Sequence, residues 1–354
     1  MTRRCVLALA AAVAAQEEPA GAADSIFDPI RSDNQPGGAV LALRDGRILF
    51  QRGYGLANLK TGDRNTPETN FRLASVTKQF TAMCIMLLVH DGKLRYDERL
   101  TDVFPDFPSY GHAIRIRNLL SHTAGLPDYE DIMDQEHWDP SRQINDEEVL
   151  AIMKRAAGPK FEPGTRFSYS NSAFVVLGLV VAKVSGKPFD QFLHDRIFAP
   201  LGMTNTVAYV KGKNEVPHRA YGYTKEAGEW RETDQSPTSA TLGDGGIYSS
   251  LNDLAKWYRA LDGYRLLSPA EMAPAWTPIG LTADFDGVKT GYGFGWALDT
   301  LDGWRRIWHS GDTVGFRANV QRFPQKRLTV VVLENRTEPL PRPLATRLAE
   351  LYLR

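Results

Sequence analysis

The chain has 354 residues, 43% hydrophobic and 24% charged, with 42 basic and 42 acidic side chains. That composition provides ample apolar material for a buried core and matches one large domain or two smaller ones. A formal net charge of zero leaves no basic excess for nucleic acid, and no run of five or six like charges forms an interaction tail.

The first segment reads as an export signal. Arg3 and Arg4 precede an apolar run from Cys5 to Ala15, and Ala12 and Ala14 stand in an A-x-A arrangement before a polar stretch. The run is shorter than the roughly 20 residues needed to span a bilayer, so residues 1–15 are expected to be a signal peptide and not a stable membrane span. A periplasmic or secreted location follows. Removing the segment leaves Cys84 as the sole cysteine, which excludes a disulfide within the mature chain. Cys84 sits among Met83, Ile85 and Met86 and reads as a small buried hydrophobe.

Residues 16–35, rich in Ala, Pro, Asp and Gly, read as a flexible lead-in to a domain over 36–350. The spans 38–43 and 48–50, joined by Asp45-Gly46, predict a hairpin. Apolar residues at helical spacing predict a helix from Ser75 to His90, stopped by Asp91-Gly92. The middle of the chain is proline-punctuated, with a helix expected over Ser172–Val184 and another over Leu251–Leu261. Strand-like runs return at 293–298, 304–309, 317–323 and 328–333, and a helix over 343–353 closes the chain. Strands at both ends around a helical middle predict an α+β fold. Its antiparallel sheet, flanked by helices, falls at about 36–95 and 250–354, and an all-helical region is inserted at about 96–249.

Ser75-Val76-Thr77-Lys78 carries the chemistry. Residues three apart share a helix face, so the Lys78 amine can reach the Ser75 hydroxyl, which is a poor nucleophile until a base takes its proton. Burial would depress the lysine pKa and free the amine to act as that base. In isolation the pattern is weak, since about one such match is expected by chance in a chain of this length. Two further motifs strengthen it. Tyr169-Ser170-Asn171 precedes a helix and offers a phenol for proton relay and an amide for lysine and substrate. His309-Ser310-Gly311-Asp312 ends a strand, and the Asp312 N–H can oppose that of Ser75 as an oxyanion donor.

In this order, S-x-x-K, Y-x-N and H-x-G resemble the serine beta-lactamase and penicillin-binding superfamily, in its class C beta-lactamase, D-Ala-D-Ala carboxypeptidase and family-VIII esterase branch. Stretches around Phe71-Arg72-Leu73-Ala74, Leu119–Leu126, Gly245–Ser249 and Gly291–Trp296 share the resemblance. It implies an antiparallel five-stranded sheet with flanking helices and an all-helical region. It also implies Ser75 as acylated nucleophile, Lys78 as proton acceptor, Tyr169 as second acid and base, Asn171 as substrate-binding, and His309, Ser310, Gly311 and Asp312 as the opposite wall. No cofactor and no metal are called for. The partner is a small-molecule or peptide substrate; the oligomeric state is left open.

Two look-alikes are set aside. Ser32-Asp33-Asn34 precedes the nucleophile instead of following it, and Lys289-Thr290-Gly291 falls one strand too early. His122 reads as a structural hydrogen-bonder, the remaining histidines lack metal-ligand spacing, and G-x-S-x-G is absent. Histidine at 309 in place of lysine leaves a carboxylate without a permanent cation. Esters and amides of small or D-amino-acid substrates therefore rank first. A D-Ala-D-Ala carboxypeptidase or class C-type beta-lactamase comes next, and a non-catalytic ligand-binding module last.

Overall fold

The computed structural model describes residues 20–354. The predicted signal segment lies outside these described residues. Eight strands form one antiparallel sheet: β1 (Gly38–Arg44), β2 (Arg47–Tyr54), β3 (Ala283–Phe285), β4 (Val288–Tyr292), β5 (Ala297–Leu301), β6 (Trp304–Thr313), β7 (Phe316–Phe323) and β8 (Leu328–Glu334). Their order across the sheet is β3-β4-β5-β6-β7-β8-β1-β2. The first strand thus pairs with the last, one strand in from the β2 edge, with Val40 opposite Val332 and Leu41 opposite Val331.

The continuous apolar run of β1 reflects burial on both faces. Alternate side chains point to opposite sides. Ala39, Leu41 and Leu43 join the large core shared with the helical region, while Val40 and Ala42 pack in a second core. That second core is closed by the C-terminal helix Pro341–Leu353 through Leu344, Ala345, Leu348 and Ala349.

Three further helices position the site: α1 (Lys78–His90), α2 (Asn171–Ser185) and α3 (Leu251–Asp262). Ser170 caps α2 by accepting from the Ala173 N–H at 3.2 Å, and Ser250 caps α3 by accepting from Asp253. Cys84 is buried within α1. Among the described residues no single helix is long and apolar enough to cross a membrane.

The structure departs from sequence expectation in four places. The region expected to be all-helical at about 96–249 contains the antiparallel hairpin Tyr223–Glu226/Glu229–Glu232 and the short paired strands Val207–Ala208 and Ile247–Ser249, too short to show a period of two. The lead-in is not flexible over its described part. Residues 20–26 are helical, and Ala23, Ile26, Phe27 and Ile30 are buried in the second core. Phe27 stacks on Phe50 and Tyr54, and Asp24 accepts from the Tyr54 hydroxyl at 2.7 Å. Composition suggested a loop because four apolar side chains spaced for one face are hidden among Ala, Pro and Asp.

The sheet has eight strands where the family resemblance implied five. The short β3–β4 hairpin adds to the edge, and its three paired residues are too few to read as periodicity. Finally, the strand expected over 293–298 begins only at Ala297. Gly295 adopts φ +75°, and a Cβ there would lie 2.8 Å from the Lys78 carbonyl, so this segment turns under the catalytic helix instead of extending.

Candidate active site

Phe71–Arg72 pairs as a short strand with Ile247–Ser249, and the Leu73 N–H donates to the Ile247 carbonyl at 2.9 Å. A 3-10 turn, Ala74–Thr77, then leads into α1. The turn is braced from several sides. The Thr77 hydroxyl accepts from the Ile247 N–H at 3.3 Å, and the Thr81 hydroxyl donates to the Gly243 carbonyl at 2.6 Å. The Gln79 amide donates to Val76 O and accepts from the Trp257 indole at 2.7 Å. Ala74 is held at φ +47°, a left-handed conformation that costs a non-glycine residue about 1–3 kcal/mol and persists where the surroundings enforce it. On the other side Gly311 lets β6 press against this turn, because a Cβ there would fall 2.2 Å from the Leu73 carbonyl oxygen.

Ser75 keeps partial exposure while Lys78 is 0% exposed. The Lys78 amine lies 2.9 Å from Ser75 Oγ, 2.8 Å from Asn171 Oδ1 and 2.9 Å from the Asp244 carbonyl. Three acceptors match the three protons of an ammonium. Burial nevertheless pulls the group down to about 8, against the opposing pull of Asp244, Glu130 and Asp128. At pH 7 about a tenth is therefore free amine, and the fraction grows as pH rises. In that form the contact with Ser75 reverses, and the hydroxyl donates.

The Tyr169 ring packs 5.0 Å from the Lys78 amine. Burial pushes its phenol far above the ordinary value, against a hydrogen bond with Ser75 that lowers it, so it stays protonated and is a donor rather than a resident base. Asn171 is held at the first position of α2. Its Oδ1 accepts from Lys78, and its Nδ2 donates to Glu130 Oε1 at 3.1 Å.

His309 lies in the sheet with its imidazole 0% exposed. It ends a chain of hydrogen bonds whose direction can be read off. The Ser170 N–H can only donate, so Nδ1 of His122, 3.0 Å away, accepts and the proton of His122 sits on Nε2. That proton reaches Tyr292 Oη at 3.1 Å, and the Tyr292 hydroxyl donates to His309 Nε2 at 2.8 Å. His309 Nδ1 then donates to the Ser310 carbonyl at 2.6 Å. Burial and the nearby Lys78 lower His309 to about 3, and burial first holds His122 well below its usual value. Every member is neutral and both His309 nitrogens are occupied. The imidazole therefore supports the cleft from behind and offers no cation to a ligand.

Ser310 is likewise engaged, donating to Asp286 Oδ2 at 2.8 Å and accepting from Asn319 at 3.0 Å. Asp312 pairs with Arg317 at 2.8 Å and, with Thr313, lines the cleft opposite Ser75 and Asn171. Of the look-alikes, Lys289 pairs with Asp284 at 2.7 Å on the exposed edge hairpin, and Ser32 bonds Asn34 on the surface. Among the described residues no group of three or more His, Cys, Asp or Glu side chains is placed to hold a metal.

The sequence reading missed Glu130, Asp128 and Asp244, which form an acidic rim. Glu130 keeps solvent contact, yet packing around it and the neighbouring Asp128 and Asp244 raise it from its ordinary value. No local motif announces these residues; only Asp128, a helix cap before Tyr129–Gln135, carries a signal, and that signal concerns the helix.

A buried lysine bonded to a serine on a strained turn, beneath an antiparallel sheet, defines a serine hydrolase of the S-x-x-K type. The family model described as Beta-lactamase matches residues 14–354, and the chain belongs to that family. Penicillin-binding protein 4* of Bacillus subtilis (strain 168) is 32% identical over 329 residues, covering 89% of this chain and 71% of that protein. A D-aminopeptidase of Brucella anthropi is 29% identical over 314 residues, and this chain spans 85% of itself but only 56% of that enzyme's length. The D-amino acid amidase of Ochrobactrum anthropi SV3, solved with L-phenylalanine amide, superposes with a TM-score of 0.80 at 28% identity, covering 94% of this chain and 98% of the amidase.

Proposed function

We propose that the protein hydrolyses amides or esters of small D-amino acids bearing a free amino group, through an acyl-enzyme on Ser75. The observation that carries this reading is the charge distribution of the cleft. Glu130, Asp128 and Asp244 gather on the Asn171 side, where a substrate ammonium gains from them, while His309 on the far wall is neutral and leaves a carboxylate unpaired. The names of the D-aminopeptidase and the D-amino acid amidase agree with this choice.

In the proposed mechanism, free-amine Lys78 takes the Ser75 proton as Oγ attacks the carbonyl carbon. The tetrahedral oxyanion is held by the backbone N–H groups of Ser75 and Asp312. Tyr169 passes a proton to the leaving amine or alcohol and is reprotonated from Lys78. Asn171 fixes the lysine and orients Glu130 toward the substrate. Export on the N-terminal apolar segment would put this activity in the periplasm or medium, which N-terminal sequencing of the mature protein checks.

The test is a parallel assay of D-amino-acid p-nitroanilides, their N-acetyl derivatives, simple p-nitrophenyl esters and nitrocefin. The free amine should raise kcat/KM about 10- to 100-fold over the acetylated form, as expected for a close charge pair. Ser75→Ala should abolish turnover. Preference for nitrocefin, or indifference to acetylation, overturns the substrate class.

A further inference from the structure

Two buried polar atoms beside Ser75 have no protein partner. Arg72 is 4% exposed and directs Nε to the Gly245 carbonyl at 3.3 Å and Nη2 to the Ser239 carbonyl at 3.1 Å, but its Nη1 bonds nothing among the described residues. Asp244 is 7% exposed; Tyr129 donates weakly to its Oδ2 at 3.4 Å, and its Oδ1 is without a partner. Among the described residues no carboxylate pairs with Arg72. Leaving such atoms unsatisfied costs about 1–3 kcal/mol each, so a native structure is expected to fill them.

Both residues line the same cleft as Ser75, Asn171 and Asp312, and its free volume is about 50 Å³. A water occupies about 30 Å³ of liquid, so the cleft has room for a water beside these two residues. The segment is also adjacent to the chemistry. The Asp244 carbonyl lies 2.9 Å from the Lys78 amine, and a Cβ on Gly245 would stand 3.7 Å from Ala74.

We propose that Arg72 Nη1 and Asp244 Oδ1 together hold the water that hydrolyses the Ser75 acyl-enzyme. This inference rests on the acyl-enzyme reading above. The water accepts a hydrogen bond from Nη1 and donates one to Oδ1. That leaves one lone pair for the acyl carbon and one proton directed at Lys78. When the water oxygen adds to the carbonyl, that proton passes to the Lys78 amine. It returns to Ser75 Oγ as the carbon–Oγ bond breaks, releasing the acid and restoring the hydroxyl. Arg72 and Asp244 are positioning residues in this step, because neither gains nor loses a proton overall.

The prediction separates the two halves of turnover. With p-nitrophenyl acetate, the burst of p-nitrophenol reads acylation and the steady phase reads deacylation. Asp244→Asn and Arg72→Lys should slow the steady phase about 10- to 100-fold more than the burst, with acetyl-Ser75 accumulating by mass spectrometry. Methanol, a second acceptor that does not need the water site, should restore turnover as methyl acetate. The ratio of the two phases is read per acylated site, so a partly folded preparation does not alter it. Equal slowing of both phases, or failure of methanol to rescue, overturns the proposal. A high-resolution crystal structure of the unaltered protein gives an independent check: a water bonding both atoms is expected, and a dry gap contradicts it. Absence of any acetyl-Ser75 in the unaltered protein under turnover and after quenching, with Ser75→Ala still active, would instead remove the acyl-enzyme reading itself.

Discussion

The Lys78 side and the His309 side of the cleft use the same material, titratable side chains with no exposed surface, to opposite ends. Around Lys78 the partners leave a proton free to move. The ammonium has three acceptors, one of them the nucleophile, and burial sets its affinity at about 8. Around His309 each proton has one seat. The chain from Ser170 through His122, Tyr292 and His309 to the Ser310 carbonyl runs in a single direction and stays neutral. Burial alone therefore does not make a group catalytic. What matters is whether its partners can exchange roles with it.

The sharpest break of this contrast is at Lys78. Lys78→Ala should lower kcat/KM about 1,000-fold or more in a steady-state ester assay, the range for loss of a positioned base. Lys78→Arg should do no better, since guanidinium keeps its proton. An active arginine variant would mean that the base lies elsewhere.

On the His309 side the expected loss is stability. Tyr292→Phe strands the His122 Nε2–H and leaves His309 Nε2 without a donor, and should cost about 2–4 kcal/mol in denaturant unfolding. Its kcat/KM at fixed folded fraction should change far less than that of the lysine variants. A catalytic loss as large as theirs would show that protons do move through the chain.

The pH profile sharpens the comparison further. Because the free amine is the active form, kcat/KM should rise as pH increases through about 8, with no limb from His309 in the range where histidine usually titrates. Glu130 holds the Lys78 proton on, so Glu130→Gln should move the limb to lower pH while weakening binding of amine-bearing substrates. A shift to higher pH contradicts the assignment.

The smallest effect concerns the strained turn. Ala74→Gly removes the left-handed penalty at φ +47° and should stabilise the fold by about 1 kcal/mol in thermal unfolding, while loosening Ser75 enough to lower kcat modestly. A destabilised glycine variant would show that the Ala74 methyl packs for more than its strain costs.

Much of the catalytic side was legible because it is local. Ser75 and Lys78 lie on one helix face, and Tyr169 and Asn171 flank the cap of the next helix. On the neutral side His122 was legible as a structural hydrogen-bonder and His309 as no permanent cation, but the chain that joins them was not, because it runs through Tyr292 on β4 and through a His122 ring fixed by the Ser170 backbone. Asp244 was invisible for a related reason. It holds Lys78 through a carbonyl that any residue type carries, 166 positions away in the chain. Fold class followed from the alternation of apolar runs. The β3–β4 hairpin and the packed residues 20–30 did not, since their few buried side chains are dispersed among turn formers.

The most direct test of the central claim is fluorophosphonate labelling of the intact protein, followed by mass spectrometry and peptide mapping. One adduct per chain, on Ser75, forming faster as pH rises through about 8, is the expected result. An unlabelled Ser75 in protein that still hydrolyses esters would contradict it.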